Sequence, residues 1–332
     1  MTRRNAFTLV ELLVVITIIG MLAAIITVAA GGARVAVWNG TVKTEMHQME
    51  MALEQYKNQY GEYPPDFTDS MAVIRHIKKR WPRMVLTGAN PVDQYNNVMS
   101  TVTAVTGWEL GVTTDNPLEI KGLGLAFWLG GLPNKNKSTD PYKYASFEGM
   151  ESLHGFANNP LDPFDPAAPQ EKPVYDFQFG KNCAIIKTPG GKVFPVAVSQ
   201  GLPVVYFRAA KKDFKSEAYI ASTQAQVAFY STSTDDWSLA SGDLPSQPGI
   251  VTPYTQKLNS SDEPVWYNAD SFQLIHPGRD GLFQVVPSPA TPPPPMSSTC
   301  HAVVETQVGL TPRSLDNIVN FGSGSTLKAL LP

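Results

Sequence analysis

The chain has 332 residues, a charged fraction of 17% and a formal net charge of −3. Its largest basic clusters are Lys78-Lys79-Arg80 and Lys211-Lys212, which are too small for a nucleic-acid footprint. We therefore predict no nucleic-acid partner and expect both clusters to be solvated. The length allows one membrane helix with one sizeable globular domain or two small ones.

A long uncharged segment lies close to the amino terminus. Residues 12–33 carry no charged side chain, and 22 residues form a helix of about 33 Å, enough to cross the hydrocarbon core of a bilayer. A secretory signal peptide cleaved before Gly31 is one interpretation, although its apolar region would be unusually long. A plain single-pass anchor is another. Neither explains Glu11, because a carboxylate in the apolar core costs about 2.5–3.5 kcal/mol.

A third interpretation gives Glu11 a role. The sequence RRNAFTLVELLVVI over residues 3–16 closely resembles the class III leader of type IV pilins and type II secretion pseudopilins. The resemblance implies that a prepilin peptidase cuts between Ala6 and Phe7 and methylates the new amino group of Phe7. Ala6 stands where the family usually has Gly, which predicts slower cleavage.

The same resemblance implies a role for Glu11 in assembly. After cleavage Glu11 becomes the fifth residue of the mature chain, and a buried ion is tolerable when it is paired. We expect Glu11 to meet the amino group of Phe7 on a neighbouring subunit and to set the axial stagger of a filament. Arg3 and Arg4 precede the helix and predict a cytoplasmic amino terminus. The protein would then be a single-pass inner-membrane protein with a periplasmic or extracellular head.

Beyond residue 42 the apolar pattern becomes one-sided. Apolar residues recur every three or four positions and predict one buried helix face, formed by Val42, Met46, Met49, Leu53, Tyr56 and Tyr60. The pattern is too short to favour a coiled coil. The ending LEQYKNQYGEYPP over residues 53–65 is similar to the junction in major pseudopilins. We divide the chain into a leader (1–6), a transmembrane and assembly helix (7–33), its amphipathic continuation (34–62) and a globular head (63–332).

The head is predicted to be rich in short strands and loops. Residues 71–84 indicate a helix and 118–132 a buried helix or strand, whereas 97–114 are ambiguous. The Asp-Pro repeats of residues 158–173 indicate a loop in which Asp162 and Asp165 form turns. Residues 235–264 indicate a polar surface insertion. Strands are predicted at 174–179, 184–187, 193–198, 204–209, 218–220 and 225–230. The predicted class is α+β, a pilin-like fold with a long helix packed on an antiparallel sheet and an enlarged head.

Two carboxy-terminal segments carry a further resemblance. SFQLIHPGRDGLF over residues 271–283 indicates a strand and a tight turn, and LDNIVNF covers 315–321. Both are similar to the closing segment of type II pseudopilins, which in the major pseudopilin binds calcium. The resemblance implies calcium ligands at Asp280 and Asp316, with Asn317 as a neutral donor. Alternatively, Asp280 belongs to an ordinary hairpin turn.

No residue pattern indicates catalysis. The five histidines and the two cysteines, Cys183 and Cys300, lack metal-ligand spacing, and no nucleophile elbow or phosphate-binding loop occurs. Cys183 and Cys300 either form a disulfide in an oxidising compartment or stay as buried thiols.

We therefore expect a structural filament subunit of a type II secretion pseudopilus rather than an enzyme. Its expected partners are the prepilin peptidase, other copies and minor pseudopilins, the inner-membrane secretion platform and membrane lipid. A type IV pilus subunit, or an anchored or secreted protein with a binding or enzymatic function, is the alternative.

Overall fold

One long helix begins the fold. The computed structural model describes the chain in several ranges, and α1 (Leu9–Tyr60) contains 52 residues, about 78 Å at the usual rise. It runs without a break through Gly20, Gly31, Gly32 and Gly40. Gly61 ends it with φ +78°, the left-handed conformation typical of helix ends. The described ranges are 9–67, 70–108, 124–133, 152–165, 167–187, 193–209, 227–229, 238–239, 249–251, 253–258, 264–281, 283, 302–303, 314–321 and 326–330.

The second half of α1 packs on the head through the predicted apolar face. Val42, Met46, Met49, Leu53 and Tyr56 are at most 2% exposed. Burial of a side chain of this size contributes about 1.5–3 kcal/mol, so these residues hold the helix on the head. The prediction of a buried stripe is confirmed from Val42 to Tyr56, whereas Tyr60, its last predicted member, is only half-buried.

The described part of the head contains three further α-helices: α2 (Ser70–Arg80), α3 (Pro91–Thr106) and α4 (Leu125–Gly130). The predicted helix at 71–84 is confirmed but ends at Arg80. The region that is ambiguous in the sequence, residues 97–114, is helical up to residue 106. Its helix, α3, is stabilised by caps at both ends. Asn90 accepts a hydrogen bond from the Asp93 amide, and Gly107 is left-handed.

Within the described ranges the strands are short and form small sheets. The strands are β1 (Cys183–Lys187), β2 (Val193–Ser199), β3 (Leu202–Pro203), β4 (Val205–Arg208), β5 (Val227–Phe229), β6 (Ser238–Leu239), β7 (Gly249–Val251), β8 (Tyr254–Leu258), β9 (Pro264–Trp266), β10 (Phe272–His276), β11 (Ala302–Val303) and β12 (Ile318–Val319). Three sheets have the strand orders β3-β2-β1-β6, β12-β10-β4 and β11-β8-β9, and β5 pairs with β7. Pairing is antiparallel except between β8 and β11.

Two of the predicted segments differ from the structure. Residues 174–179 are not a strand, because the amides of Val174 and Tyr175 both donate to the Leu129 carbonyl instead of to a neighbouring strand. Residues 235–264 are not simply a surface insertion, since they contribute β6, β7, β8 and the start of β9. Tyr254 of β8 is fully buried, and its backbone exchanges two 2.8 Å hydrogen bonds with the Gln273 side chain. The strand predicted at 218–220 lies outside the described residues.

The Asp-Pro loop forms turns as predicted, yet it also contributes to the core. Asp162 and Asp165 each accept a hydrogen bond from an amide two residues later, as in Asx turns. Phe164, between them, is fully buried and contacts the ring of Trp81. Nearly all buried apolar side chains of the described residues form one cluster, which extends from Val42 to Leu327. The fold is α+β, as predicted.

Candidate functional site

The first half of α1 presents an apolar surface that the head does not cover. Its 13 large apolar side chains between Leu9 and Ile26 are 45–79% exposed, and α1 is the one described helix long and apolar enough to cross a membrane. A continuous apolar surface of this size in water marks a membrane or protein contact. Thr17 and Thr27 do not interrupt it, because their hydroxyls donate to the carbonyls of Val14 and Ala23.

Glu11 lies in the first turn of α1, within this apolar surface. It is the only acidic residue among residues 9–44. Ala6 and Phe7, the predicted cleavage site, lie outside the described residues. The structure therefore places the predicted assembly residue on the exposed half-helix, while the cleavage step stays a prediction.

A network of side-chain hydrogen bonds joins the carboxy-terminal end of α1 to the head. Arg80 donates to the Tyr56 hydroxyl at 3.0 Å, and this oxygen lies 2.7 Å from His76 Nε2. His76 Nδ1 lies 2.7 Å from Glu62 Oε1, and Arg208 donates to Glu62 Oε2 at 3.1 Å. One assignment is compatible with all four hydrogen bonds: the Tyr56 hydroxyl donates to a neutral His76, which donates through Nδ1 to an ionised Glu62.

The pKa shifts agree with this assignment. Burial by itself would raise the pKa of Glu62, but the hydrogen bond from His76 and the charge of Arg208 outweigh it and bring the pKa to about 2. Burial lowers the pKa of His76, although the hydrogen bond to Glu62 opposes this shift. Burial also raises the pKa of Tyr56, which therefore stays protonated. These hydrogen bonds join the end of α1 to α2 and to Arg208, and we call the connected side chains the latch.

Arg80 was expected to be solvated, and that expectation is wrong. Its side chain is 3% exposed, whereas Lys78 and Lys79 are exposed. The helical spacing in the sequence could have predicted this burial, because position 80 follows Val73, His76 and Ile77 on the buried face of α2. The guanidinium also donates to the Tyr60 hydroxyl at 3.0 Å and lies 3.6 Å from the Glu171 carboxylate. It makes cation–π contacts at 4.1–5.3 Å with the ring centroids of Tyr56, Tyr60, Trp81 and Phe156.

The carboxy-terminal segments meet at the predicted tight turn. Asp316 Oδ2 accepts hydrogen bonds from the amides of Arg279 and Asp280 at 2.9 and 3.3 Å. Gly278 has φ +74°, and a Cβ there would lie 2.5 Å from Asp316 Cγ. The turn thus requires glycine, and Asp316 closes it by accepting two backbone hydrogen bonds.

The fit of this turn to calcium is partial. Asp316 Oδ1 and Asn317 Oδ1 are buried and accept no hydrogen bond from the described residues, so two oxygens could serve as ligands. Calcium takes six to eight, and no group of three or more His, Cys, Asp or Glu side chains suited to a metal occurs in the described ranges. Asn317 is also held by its own amide, which donates to the Tyr254 hydroxyl at 3.0 Å.

Cys183 is a buried free thiol at the start of β1. Burial raises its pKa, so the unreactive neutral form predominates. Cys300 lies outside the described residues, and the disulfide stays a prediction.

Comparison with known proteins identifies the amino-terminal segment. Residues 1–27 match the family model of the prokaryotic N-terminal methylation motif. No curated protein and no solved structure matches the chain. The predicted leader is confirmed, although the motif does not distinguish pili from secretion pseudopili. The chain therefore carries the class III prepilin leader of type IV pilin-like proteins, followed by a long apolar helix and an α+β head.

Proposed function

We propose that the chain is a structural subunit of a type II secretion pseudopilus. The observation that carries the proposal is the exposed apolar half of α1, which starts within the methylation motif and contains Glu11. In this proposal the prepilin peptidase removes residues 1–6, and subunits leave the membrane to join a filament with minor pseudopilins above the inner-membrane platform. The amino terminus lies in the cytoplasm and the head outside the inner membrane.

The exposed half-helix suits both environments that this function requires. In the bilayer, lipid covers its apolar side chains. In a filament, the same side chains pack against the helices of neighbouring copies, and Gly20, Gly31 and Gly32 leave room for close approach, since a Cβ at each would meet nothing within 4 Å. Glu11 would pair with the amino group of Phe7 of a neighbour. A carboxylate is costly in an apolar packing unless it is paired, so the pair selects one stagger.

The mature amino terminus is the first test. We expect protein purified from the membranes of its native host to begin at N-methylated Phe7, measured by intact mass and amino-terminal sequencing. A start near Gly31 would indicate a signal peptide, and an intact Met1 a plain anchor. Either result would overturn the proposed processing.

Assembly is tested with Glu11→Gln, which removes the charge and nearly keeps the side-chain shape. We expect the variant to enter the membrane and to be cleaved, but to yield less than about a tenth of wild-type filament, since loss of a buried partner costs about 3–5 kcal/mol. The matched control is Thr17→Val, which should assemble normally. Filaments are sheared from cells and measured by immunoblot and electron microscopy. Normal filaments from Glu11→Gln would refute the role of Glu11.

A deletion separates secretion from a pilus. We expect removal of the chain to abolish release of exported enzymes into the medium while surface pili and twitching motility persist. Loss of pili with normal enzyme release would instead assign the chain to a type IV pilus.

Calcium binding at the carboxy-terminal turn is a second proposal, supported by the two buried oxygens of Asp316 and Asn317. We expect 1 mM calcium to raise the unfolding temperature of the full chain in detergent, and magnesium not to do so. Asp316→Asn should abolish the increase. Equal effects of the two ions, or an unchanged unfolding temperature, would refute a calcium site.

A further inference from the structure

A groove lies where α1 approaches the head, against the turn between β2 and β3. It has a volume of about 490 Å³ and is lined by Gln200 of the turn and by six residues of the helix: Ala30, Ala33, Arg34, Val37, Trp38 and Thr41. Positions 30, 33/34, 37/38 and 41 recur every three or four residues and form one face of the helix. Gln200 and Gly201 have φ of +49° and +77°, as in the two-residue turn of a hairpin, and Gln200 is exposed.

The turn between β2 and β3 must lie outside the hydrocarbon core of the bilayer, and its position beside α1 therefore determines which helix residues the core can cover. Gln200 lies beside Ala30 and Ala33, and its polar amide cannot enter hydrocarbon without a large cost. The 20 residues from 9 to 28 already span about 30 Å, the full thickness of the hydrocarbon core. Arg34 follows about 9 Å farther along the axis. Because a long Arg side chain can extend back toward the interface, its guanidinium reaches the phosphate layer.

The charge of the groove suits an anionic headgroup. Arg34 is the only charged residue between Glu11 and Lys43. It makes no hydrogen bond or ion pair with a described residue, and no carboxylate lines the groove. A guanidinium binds phosphate oxygens in bidentate fashion. Trp38 is half-buried, with its ring 5.5 Å from that of His276, and tryptophan favours the membrane interface.

We propose that this groove binds the phosphate of an anionic phospholipid in the leaflet that faces the head. Arg34 and the Gln200 amide hold the phosphate, Trp38 lies about one helical turn farther out, on the headgroup side, and Ala30 and Ala33 leave space for the first part of an acyl chain. The bound lipid would fix the height of the head above the bilayer before assembly. The inference depends on the membrane span and not on the kind of filament.

The test uses the full chain, purified in a non-ionic detergent as the unassembled monomer. Phosphatidylglycerol or phosphatidylcholine with identical acyl chains is added, and retained lipids are counted by native mass spectrometry. We expect wild type to retain phosphatidylglycerol about fivefold better, the effect of one Arg near an anionic surface. Arg34→Gln should retain both lipids equally. The matched control is Arg75→Gln, on the exposed face of α2, which should keep the preference.

Two further measurements locate the lipid and exclude other occupants. Brominated phosphatidylglycerol should quench wild-type fluorescence more than that of Trp38→Phe, and 10 mM inorganic phosphate should not displace the lipid. Equal retention of the two lipids by wild type, an unchanged preference in Arg34→Gln, or displacement by free phosphate would overturn the proposal. A Val37→Cys variant that crosslinks quantitatively to a second copy in membranes would also overturn it, because the groove would then hold protein. Because the monomer is measured, failure here leaves the filament proposal unaffected.

Discussion

Acidification should destabilise the head through His276. This side chain is fully buried at the end of β10. Its Nε2 donates to the Ser199 carbonyl at 3.0 Å, and its Nδ1 accepts from the Gly278 amide at 3.1 Å. The bond from Gly278 requires the neutral ring, because a protonated Nδ1 would face the Gly278 N–H, whereas the bond to Ser199 can form in either protonation state. Burial lowers the pKa of His276 to about 4, against the weaker opposing effect of the Ser199 carbonyl.

The size of the effect follows from this pKa. Above the unfolded value of about 6.5 the ring is neutral in both states, and it does not affect stability. Below pH 6.5 the ring binds a proton in the unfolded state but stays neutral in the folded state, so the free energy of unfolding falls until about pH 4. Between pH 7.5 and 4.5 the loss is about 2–3 kcal/mol. His76 also has a lowered pKa and adds to the acid sensitivity in the same direction.

The contribution of His276 is isolated with His276→Gln, whose amide can still donate to the Ser199 carbonyl but does not titrate. We expect urea unfolding of the full chain in detergent, followed by tryptophan fluorescence, to show a pH-dependent loss of stability that is about 2–3 kcal/mol larger for wild type. Equal losses for the two proteins between pH 7.5 and 4.5 would show that His276 does not hold a neutral ring in the core.

The same unfolding assay checks two other features. Gly278→Ala should cost about 2–4 kcal/mol, because its Cβ would overlap Asp316 in addition to the left-handed strain. The control Gly180→Ala has φ +80° with nothing within 4 Å of a Cβ and should cost only about 1–2 kcal/mol; equal costs would contradict the overlap. Arg80→Lys should cost about 1.5–3 kcal/mol, because a single ammonium cannot replace the forked guanidinium. An equal cost for Lys78→Ala would contradict the importance of the buried position.

The elements predicted correctly from the sequence are those specified by local patterns. The buried face of α1 follows from residues three or four positions apart, from Val42 to Tyr56, and the end of the helix follows from Gly61. The turn at Gly278 follows from its glycine and its neighbours. In each case the physical cause lies within a few residues along the chain.

The incorrect predictions concern contacts between distant segments. The latch joins Tyr56 and Glu62 to Arg80 and Arg208, and no spacing along the chain relates these residues. Residues 174–179 resemble a strand, but Leu129 supplies their hydrogen-bond acceptor. The backbone of the buried Tyr254 is hydrogen-bonded by the Gln273 side chain, 19 residues away. Contacts between segments so far apart along the chain leave no local pattern, so they could not be predicted from a single sequence.

The continuity of α1 connects its two contact surfaces. The exposed apolar surface extends to Ile26, and the face buried against the head starts at Val42, with an unbroken helix of about 24 Å between them. Each residue turns a helix by about 100°, so the number of residues in this segment determines which side of the assembly surface the head occupies. A single insertion there would rotate the head by about 100° while leaving both surfaces chemically unchanged. The spacing between the two surfaces is therefore as much a part of the assembly information as the residues that form them.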